Sequence, residues 1–361
     1  VDERSRGERR THVRAEVVHG VKESAVEEEG HESAGDFKRA PLAGRNVTDA
    51  GDGSEWRVVS HSIRCTIRGM NTPVPSSGIR LLVLDIDGTL TDSRHVVSDA
   101  TCRGIARVRE AGIRVMLATG RRYRDALPIV NQLSITEPVV TASGCLVKRP
   151  GDHATLHRAR FVDGVLPGVL GMIVEAGHEP VIYTDSFADG FDFYCRSLDA
   201  AVAPPAGGGF GEYLGRNRHL ARVDPNLHRA PPPDVFAGFV MGSREAMTEL
   251  EQQLVAACPE HLALHTIRSP RYSEWMCEIA PVGVSKWSGV AAVAASLGIG
   301  ADAICAVGDD LNDLPMVKAA GLGIAMGNAR EELQAVADLV VGTHDGSGMA
   351  DVIDLVLAGF A

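Results

Sequence analysis

The sequence predicts an α/β protein: a doubly wound, Rossmann-like parallel sheet core interrupted by an inserted α+β cap domain. Three observations carry this. Apolar runs without polar alternation recur at 81–84, 113–118 and 304–307, the pattern of strands covered on both faces. Each run ends in a polar turn with glycine and is followed by a helical pattern, the order of βα units. A stretch of different character, residues 162–272, separates the early units from the late ones.

Composition bounds the reading. The chain has 361 residues, 45% hydrophobic and 23% charged, ordinary for a globular protein of two domains. Its net charge of −11 argues against a nucleic-acid partner, because phosphate backbones would be repelled everywhere except at a local cationic site. No window is long and apolar enough to span a bilayer, so no membrane partner is expected. The seven cysteines lie scattered without a CxxC pair, as expected of reduced thiols in a cytoplasmic protein. Such a chain is expected to work as a monomer or homodimer.

Residues 1–69 mix both charge signs and show no sustained period, so they bury too little apolar surface to offset their ordering entropy. Residues 1–78 therefore read as a disordered N-terminal extension, and Met70 marks where the working protein is expected to begin. The core follows as 79–161 and 273–361, with the cap at 162–272.

From 81 onward the elements run in order. Ser98 caps a helix to Glu110, with Ile105, Val108 and Ala111 on one face and Gly112 ending it. A strand at 113–118, a helix at 123–133 and a strand at 138–142 follow, then a hairpin over 146–160. In the cap, a helix (165–176), a strand (180–184), a Pro/Gly-rich loop (204–211), a strand (235–241), a helix (244–257) and a strand (262–269) are expected. The core resumes at Trp275. Ser285 caps an alanine-rich helix, a strand covers 304–308, and βα units continue to the final helix near 357.

The polar residues cluster where apolar strands end. Asp85 and Asp87 stand one residue apart, and Gly88 breaks the strand behind them. Two carboxylates there are costly unless something positive lies between them, and a hard cation such as Mg²⁺ is the natural answer. Thr119-Gly120 ends the second strand, where a hydroxyl and backbone amides can hold a phosphate oxygen; a plain strand-to-helix turn is the alternative. Lys286 sits in a helix's first turn against the dipole, which is a poor structural choice. Asp309, Asp310 and Asp313 fall within five residues and repel one another, again implying a cation.

The nonamer Leu84-Asp85-Ile86-Asp87-Gly88-Thr89-Leu90-Thr91-Asp92 resembles the first motif of the haloacid dehalogenase-like hydrolases. Thr119-Gly120 resembles the second motif, Glu278 to Lys286 the third, and Gly308-Asp309-Asp310-Leu311-Asn312-Asp313-Leu314-Pro315-Met316 the fourth. The resemblance covers roughly 80–357, and the cap order resembles the Cof-type phosphatase branch. It implies Asp85 as a nucleophile that becomes an aspartyl-phosphate and Asp87 as general acid and base. It implies Lys286 and Thr119 as phosphoryl-neutralising groups, and Mg²⁺ bound by Asp85, the Asp87 carbonyl and Asp309. Gly120 and Asn312 would touch phosphate, with Asp313 and Asp310 in support. At Ser143-Gly144-Cys145 that branch commonly reads Asn-Gly-Ala; Ser143 and Gly144 are taken as supporting residues. Trp287 replaces a small residue and either narrows the site or packs under the cap. Arg121 and Arg122 either solvate a helix start or reach substrate.

The implied function is a Mg²⁺-dependent phosphomonoesterase acting on small phosphorylated metabolites of the sugar phosphate, pyridoxal phosphate or flavin mononucleotide type. A phosphosugar mutase or phosphotransferase on the same site, and a non-catalytic phosphometabolite-binding protein, remain alternatives.

Overall fold

Leu81–Leu84 forms the strand from which the core is built, and all four of its side chains are buried. The computed structural model describes residues 78–199, 208–269 and 271–359, together with the backbone of three strands nearer the N-terminus. The core sheet runs Leu339–Val340, Leu322–Ala325, Ile304–Gly308, Leu81–Leu84, Arg114–Leu117, with every pair parallel. A single parallel bridge from Ala118 to Val140 extends it to Val139–Thr141, which also pairs antiparallel with the hairpin Leu146–Lys148 and Thr155–Arg158. Alternation along the strand sends Leu82 and Leu84 into one core layer and Leu81 and Val83 into the other. The first layer takes helices Asp99–Glu110 and Gly348–Ala358; the second takes Lys286–Ser296 and Leu314–Ala319. Ser98 caps the first helix as expected, but Ala111 lies past its end and is exposed.

The strand order places Leu81–Leu84 between a neighbour early in the chain and one late in it. Connections leave in opposite directions there, which opens a crevice at the carboxyl ends of the two central strands.

The second unit is a six-stranded sheet in the order Ala221–Val223, Phe193–Cys195, Val181–Thr184, Val235–Gly242, Trp275–Pro281, Leu262–Arg268. Helices Val165–Glu175 and Arg244–Ala257 cover one face, and helix Gly209–Asn217 covers part of the other. The strand Trp275–Pro281 pairs along its length with Val235–Gly242 and Leu262–Arg268, so it belongs to this sheet. The sequence reading had the core resuming at 273; the pairing moves the crossing to after Pro281. Helix Gly209–Asn217 begins inside the expected loop at 204–211 and runs on through residues given no element, because Phe210, Tyr213 and Leu214 bury one face despite the glycines.

Ahead of the core, Val47–Asp49, Glu55–Ser60 and Ile63–Arg68 pair antiparallel as a three-stranded sheet, where no ordered element was expected. A local signal exists: Ile63, Cys65 and Ile67 alternate with Arg64, Thr66 and Arg68. The expectations on residues 1–46, 50–54, 61–62 and 69–77, and on 204–207 of the cap loop, lie outside the described residues. Among the described residues no helix is long and apolar enough to cross a membrane.

Candidate active site

Separate stretches of chain meet at the carboxyl edge of the core sheet. Asp85 follows its strand directly and is 4% exposed. Lys286 opens the helix capped by Ser285, whose hydroxyl accepts from the Ser288 N–H. The ammonium is buried, and its Nζ donates to Asp85 Oδ1 and to Asp313 Oδ1, each at 2.6 Å. Two carboxylates thus outweigh the unfavourable dipole. The second oxygen of Asp313, also buried, accepts from the backbone N–H groups of Asp309 and Asp310, both at 3.0 Å. Thr89 Oγ1 donates to Asp309 Oδ1 at 2.9 Å. Gly88, at φ +80°, lies against the Asp309 carboxylate so closely that a Cβ would collide with it.

Burial pushes the Asp85 carboxyl up to about 7, with Lys286 drawing it back and Asp313 adding to the rise. Burial likewise pushes Asp309 up to about 9, reinforced by Asp85 and Asp313. Burial works against the Lys286 charge, but Asp313 and Asp85 outweigh it and hold the ammonium above its ordinary range. Oxygens of Asp85, Asp309 and Asp313 lie within 4.8 Å of one another. Three carboxylates against one ammonium leave uncompensated negative charge, and the all-oxygen donor set suits a hard divalent ion.

Asp87 faces elsewhere. Its carboxylate accepts from Arg121 Nε and Nη2, both at 2.6 Å, and His95 Nδ1 stands 3.1 Å from Oδ1. Burial raises this carboxyl, but the Arg121 pair, helped by His95 and Arg271, brings it below its ordinary value. The Asp87 side chain is therefore not one of the three clustered acids.

Thr119 is buried, and its Oγ1 accepts from the Arg121 N–H at 3.1 Å. Gly120 keeps open the space between Ser143 Oγ, Glu278 Oε1 and Asn312 Nδ2, each within 3.6 Å of where a Cβ would stand. Ser143 Oγ donates to Glu278 Oε2 at 3.0 Å. Burial pushes the Glu278 carboxyl up, with His265 and Ser143 moderating it. Gly144, at φ +105°, leaves no room for a Cβ against the Ser285 carbonyl. Asp310 caps the Leu311 N–H at 2.8 Å and pairs with Arg330 at 3.3 Å.

Asp85, Asp87, Thr119, Gly120, Lys286, Asp309, Asp310 and Asn312 line a cavity of about 330 Å³ between core and cap, with Arg121, His95 and Glu278, whereas Asp313, Ser143 and Gly144 stand behind it. Tyr183, Tyr213, Phe239 and Tyr272 face it from the cap side. Trp287 packs on the second core layer and is not part of the lining. Arg122 is 7% exposed and joins the units: it donates to Asp125 and to Asn217, both at 2.7 Å, and stands 3.4 Å from Asp192. Sequence reasoning left Arg121 open and assigned nothing to His95 or to the Glu278 side chain. His95 carries a weak mark, a non-glycine residue at φ +60°.

The model of the haloacid dehalogenase-like hydrolase family matches residues 82–353. The chain is 26% identical over 303 residues to the phosphatase YwpJ of Bacillus subtilis, covering 77% of this chain and all of that one. It is 25% identical over 292 residues to the pyridoxal phosphate phosphatase YbhA of Escherichia coli, covering 76% and 97%. A solved haloacid dehalogenase-like hydrolase from Bacteroides thetaiotaomicron superposes with a TM-score of 0.63 at 23% identity, covering 76% and 98%. The chain belongs to the haloacid dehalogenase-like hydrolases, in their Cof-type branch. It is a phosphatase of that family.

Proposed function

We propose that the protein hydrolyses small phosphomonoesters through a covalent phosphoryl intermediate on Asp85, with Mg²⁺ as its cofactor. The observation that carries this is Lys286, buried between Asp85 and Asp313 beside Asp309, at the floor of a cavity that core and cap line together. The relative that acts on pyridoxal phosphate supports a small metabolite as substrate.

Asp85 and Asp309, with the Asp87 carbonyl, would hold the ion, and Asp313 would steady them. Bound there, a divalent ion screens the phosphoryl oxygens and the developing negative charge. The chain's own groups do the rest. Lys286 draws the buried Asp85 back toward its ionised form, which a bound divalent ion would complete, so that one carboxylate oxygen can attack phosphorus in line. Thr119 and the backbone amides of its turn, with Asn312, orient the phosphoryl oxygens. Asp87, as held by Arg121, is an ionised base suited to taking a proton from the water that hydrolyses the acyl phosphate. Before that step the leaving oxygen needs a proton. Loosening the Arg121 grip would let burial push the Asp87 carboxyl up toward the protonated form that supplies it.

Phosphate release from a panel of phosphomonoesters, with Mg²⁺ and with chelator, tests this reading. Asp85→Asn should abolish turnover with the fold intact by circular dichroism. Retained turnover in that variant would exclude the covalent route, and an isomerised sugar phosphate without net phosphate release would favour a mutase.

A further inference from the structure

We propose that Ser143 and Glu278 are positioning residues of the phosphatase reaction. Their hydrogen bond clamps the turn Ala142-Ser143-Gly144 to the strand that crosses from cap to core, and this turn holds Thr119, Arg121 and Lys286 in register. The inference rests on the phosphomonoesterase reading and adds to it the part of the chain that sets its geometry.

The turn is bent in a way that side chains oppose. Ala142, Ser143 and Gly144 stand at φ +47°, +54° and +105°, so three consecutive residues occupy the left-handed region and two of them carry a Cβ. Such conformations persist only where surrounding contacts over-determine them, and they gather at functional sites. Here those contacts lead to the active site. The Ser143 N–H donates to the Thr119 carbonyl at 3.0 Å, and the Ala142 N–H donates to the Arg121 carbonyl at 2.9 Å. Gly144 packs against the Ser285 carbonyl and the Lys286 nitrogen, where the helix that carries the buried ammonium begins. One short turn thus touches the proposed phosphoryl ligand Thr119, the residue that grips Asp87, and the start of the Lys286 helix.

The other jaw of the clamp is a single stretch of chain. Trp275–Pro281 is a strand of the cap sheet, and residues 282–285 alone join it to the core helix Lys286–Ser296. This stretch meets the turn twice, through the Glu278 carboxylate at Ser143 and through the Ser285 carbonyl at Gly144. The Ser143 Oγ and Glu278 also stand over Gly120, which follows Thr119. A shift of the cap strand is therefore passed to the turn instead of being absorbed by a free loop. In-line attack is sensitive to such shifts, since a misplacement of about 1 Å can cost about 10²-fold in rate.

The test separates geometry from stability and uses the full chain with Mg²⁺. Ser143→Gly removes the hydroxyl that holds Glu278 and also relieves the left-handed strain, because glycine adopts this φ freely. Its melting temperature should equal or exceed that of the parent, while kcat falls about tenfold or more. Ser143→Asn accepts the left-handed conformation and offers an amide hydrogen to Glu278, so it should recover about half of the parent kcat. Glu278→Ala should lose about as much as Ser143→Gly, and the double variant should be no worse than the poorer single one within about twofold. The loss should be the same factor with acetyl phosphate and with p-nitrophenyl phosphate, because it arises at the phosphoryl group. A loss confined to p-nitrophenyl phosphate would make these residues leaving-group contacts and overturn the proposal. Unchanged kcat in Ser143→Gly, or a fall in its melting temperature that parallels the fall in kcat, would overturn it as well. Absence of turnover by the parent chain with both esters would instead overturn the phosphatase reading beneath it.

Discussion

Arg121 grips Asp87 through two hydrogen bonds of 2.6 Å across a gap of 34 residues in sequence. Bidentate pairing of this kind fixes both position and charge. In the proposed mechanism this grip would set whether Asp87 serves as base or as acid. Arg121→Gln should free the carboxyl to rise, because its burial remains while the opposing cation is lost. Turnover should fall about 10²-fold at neutral pH, in the range that a misplaced acid–base group costs. Steady-state kinetics check this, and an unchanged kcat would remove Arg121 from the mechanism.

Lys286 separates two buried carboxylates, so its loss is more than the loss of one contact. Lys286→Met should destabilise the fold by about 3–5 kcal/mol, the usual cost of orphaning a buried partner. Adding Asp313→Asn to that variant should recover part of the loss by removing one uncompensated charge. Urea denaturation of Lys286→Met, Asp313→Asn and the double variant measures both quantities. Additive effects would show that Lys286 and Asp313 do not act as a pair.

The raised carboxyls of Asp85 and Asp309 make stability depend on pH in a defined direction. Each binds its proton more tightly folded than unfolded, so its contribution is fully present below about pH 4, the ordinary carboxylate range. That contribution is lost as pH rises through about 7 for Asp85 and about 9 for Asp309. In chelator the protein should therefore lose stability between pH 5 and 9, on the order of a few kcal/mol. Asp309→Asn should flatten the upper part of that profile. A divalent ion should reverse the trend, because it binds the ionised form; at 100 times its Kd it would add about 2.7 kcal/mol. Thermal melts across pH with Mg²⁺ or chelator provide the check.

Gly88 should tolerate no side chain. Its φ of +80° already disfavours one, and a Cβ would displace the Asp309 carboxylate. Gly88→Ala should cost about 1–3 kcal/mol in strain and lower turnover by well over tenfold through the shifted carboxylate. The pair of readouts is a melting temperature and kcat; an alanine variant with both intact would show that the loop relaxes freely.

The parts of this molecule legible in sequence were those whose signal is local. Apolar runs ending in Asp85, Thr119 and Asp309 located three strand ends, and Ser98 and Ser285 marked two helix starts that the structure reproduces. Interactions set by tertiary distance left no such trace. Nothing near Glu278 indicates that it reaches Ser143, 135 residues away, or that Arg121 turns inward to Asp87. The strand Trp275–Pro281 was recognisable as a strand, but its own pattern does not say which sheet it joins. Pairing with Val235–Gly242 decides that. Helix Gly209–Asn217 was hidden because glycine normally signals a turn, while the burial of Phe210, Tyr213 and Leu214 overrides propensity.

Arg122 belongs to the same class of long-range contacts and supports the last prediction. It begins the core helix Tyr123–Gln132 as its N-cap residue, yet its guanidinium is buried against the cap. It donates to Asn217 and lies 3.4 Å from Asp192, which Arg124 also holds at 2.9 Å. Burial works against the Arg122 charge, but the surrounding phenols and Asp125 outweigh it and hold the guanidinium above its ordinary range. Arg122→Ala would leave Asn217 without its donor and Asp192 with only the half-exposed Arg124. The cap should then sit less firmly on the core, raising KM by about tenfold while kcat changes less, since the groups around Asp85 are not touched. Limited proteolysis should cut the linkers between the units sooner than in the parent protein. Arg124→Ala, which leaves the buried contact in place, should do less on both measures, and an equal effect of the two would place the latch at Asp192 rather than at Arg122.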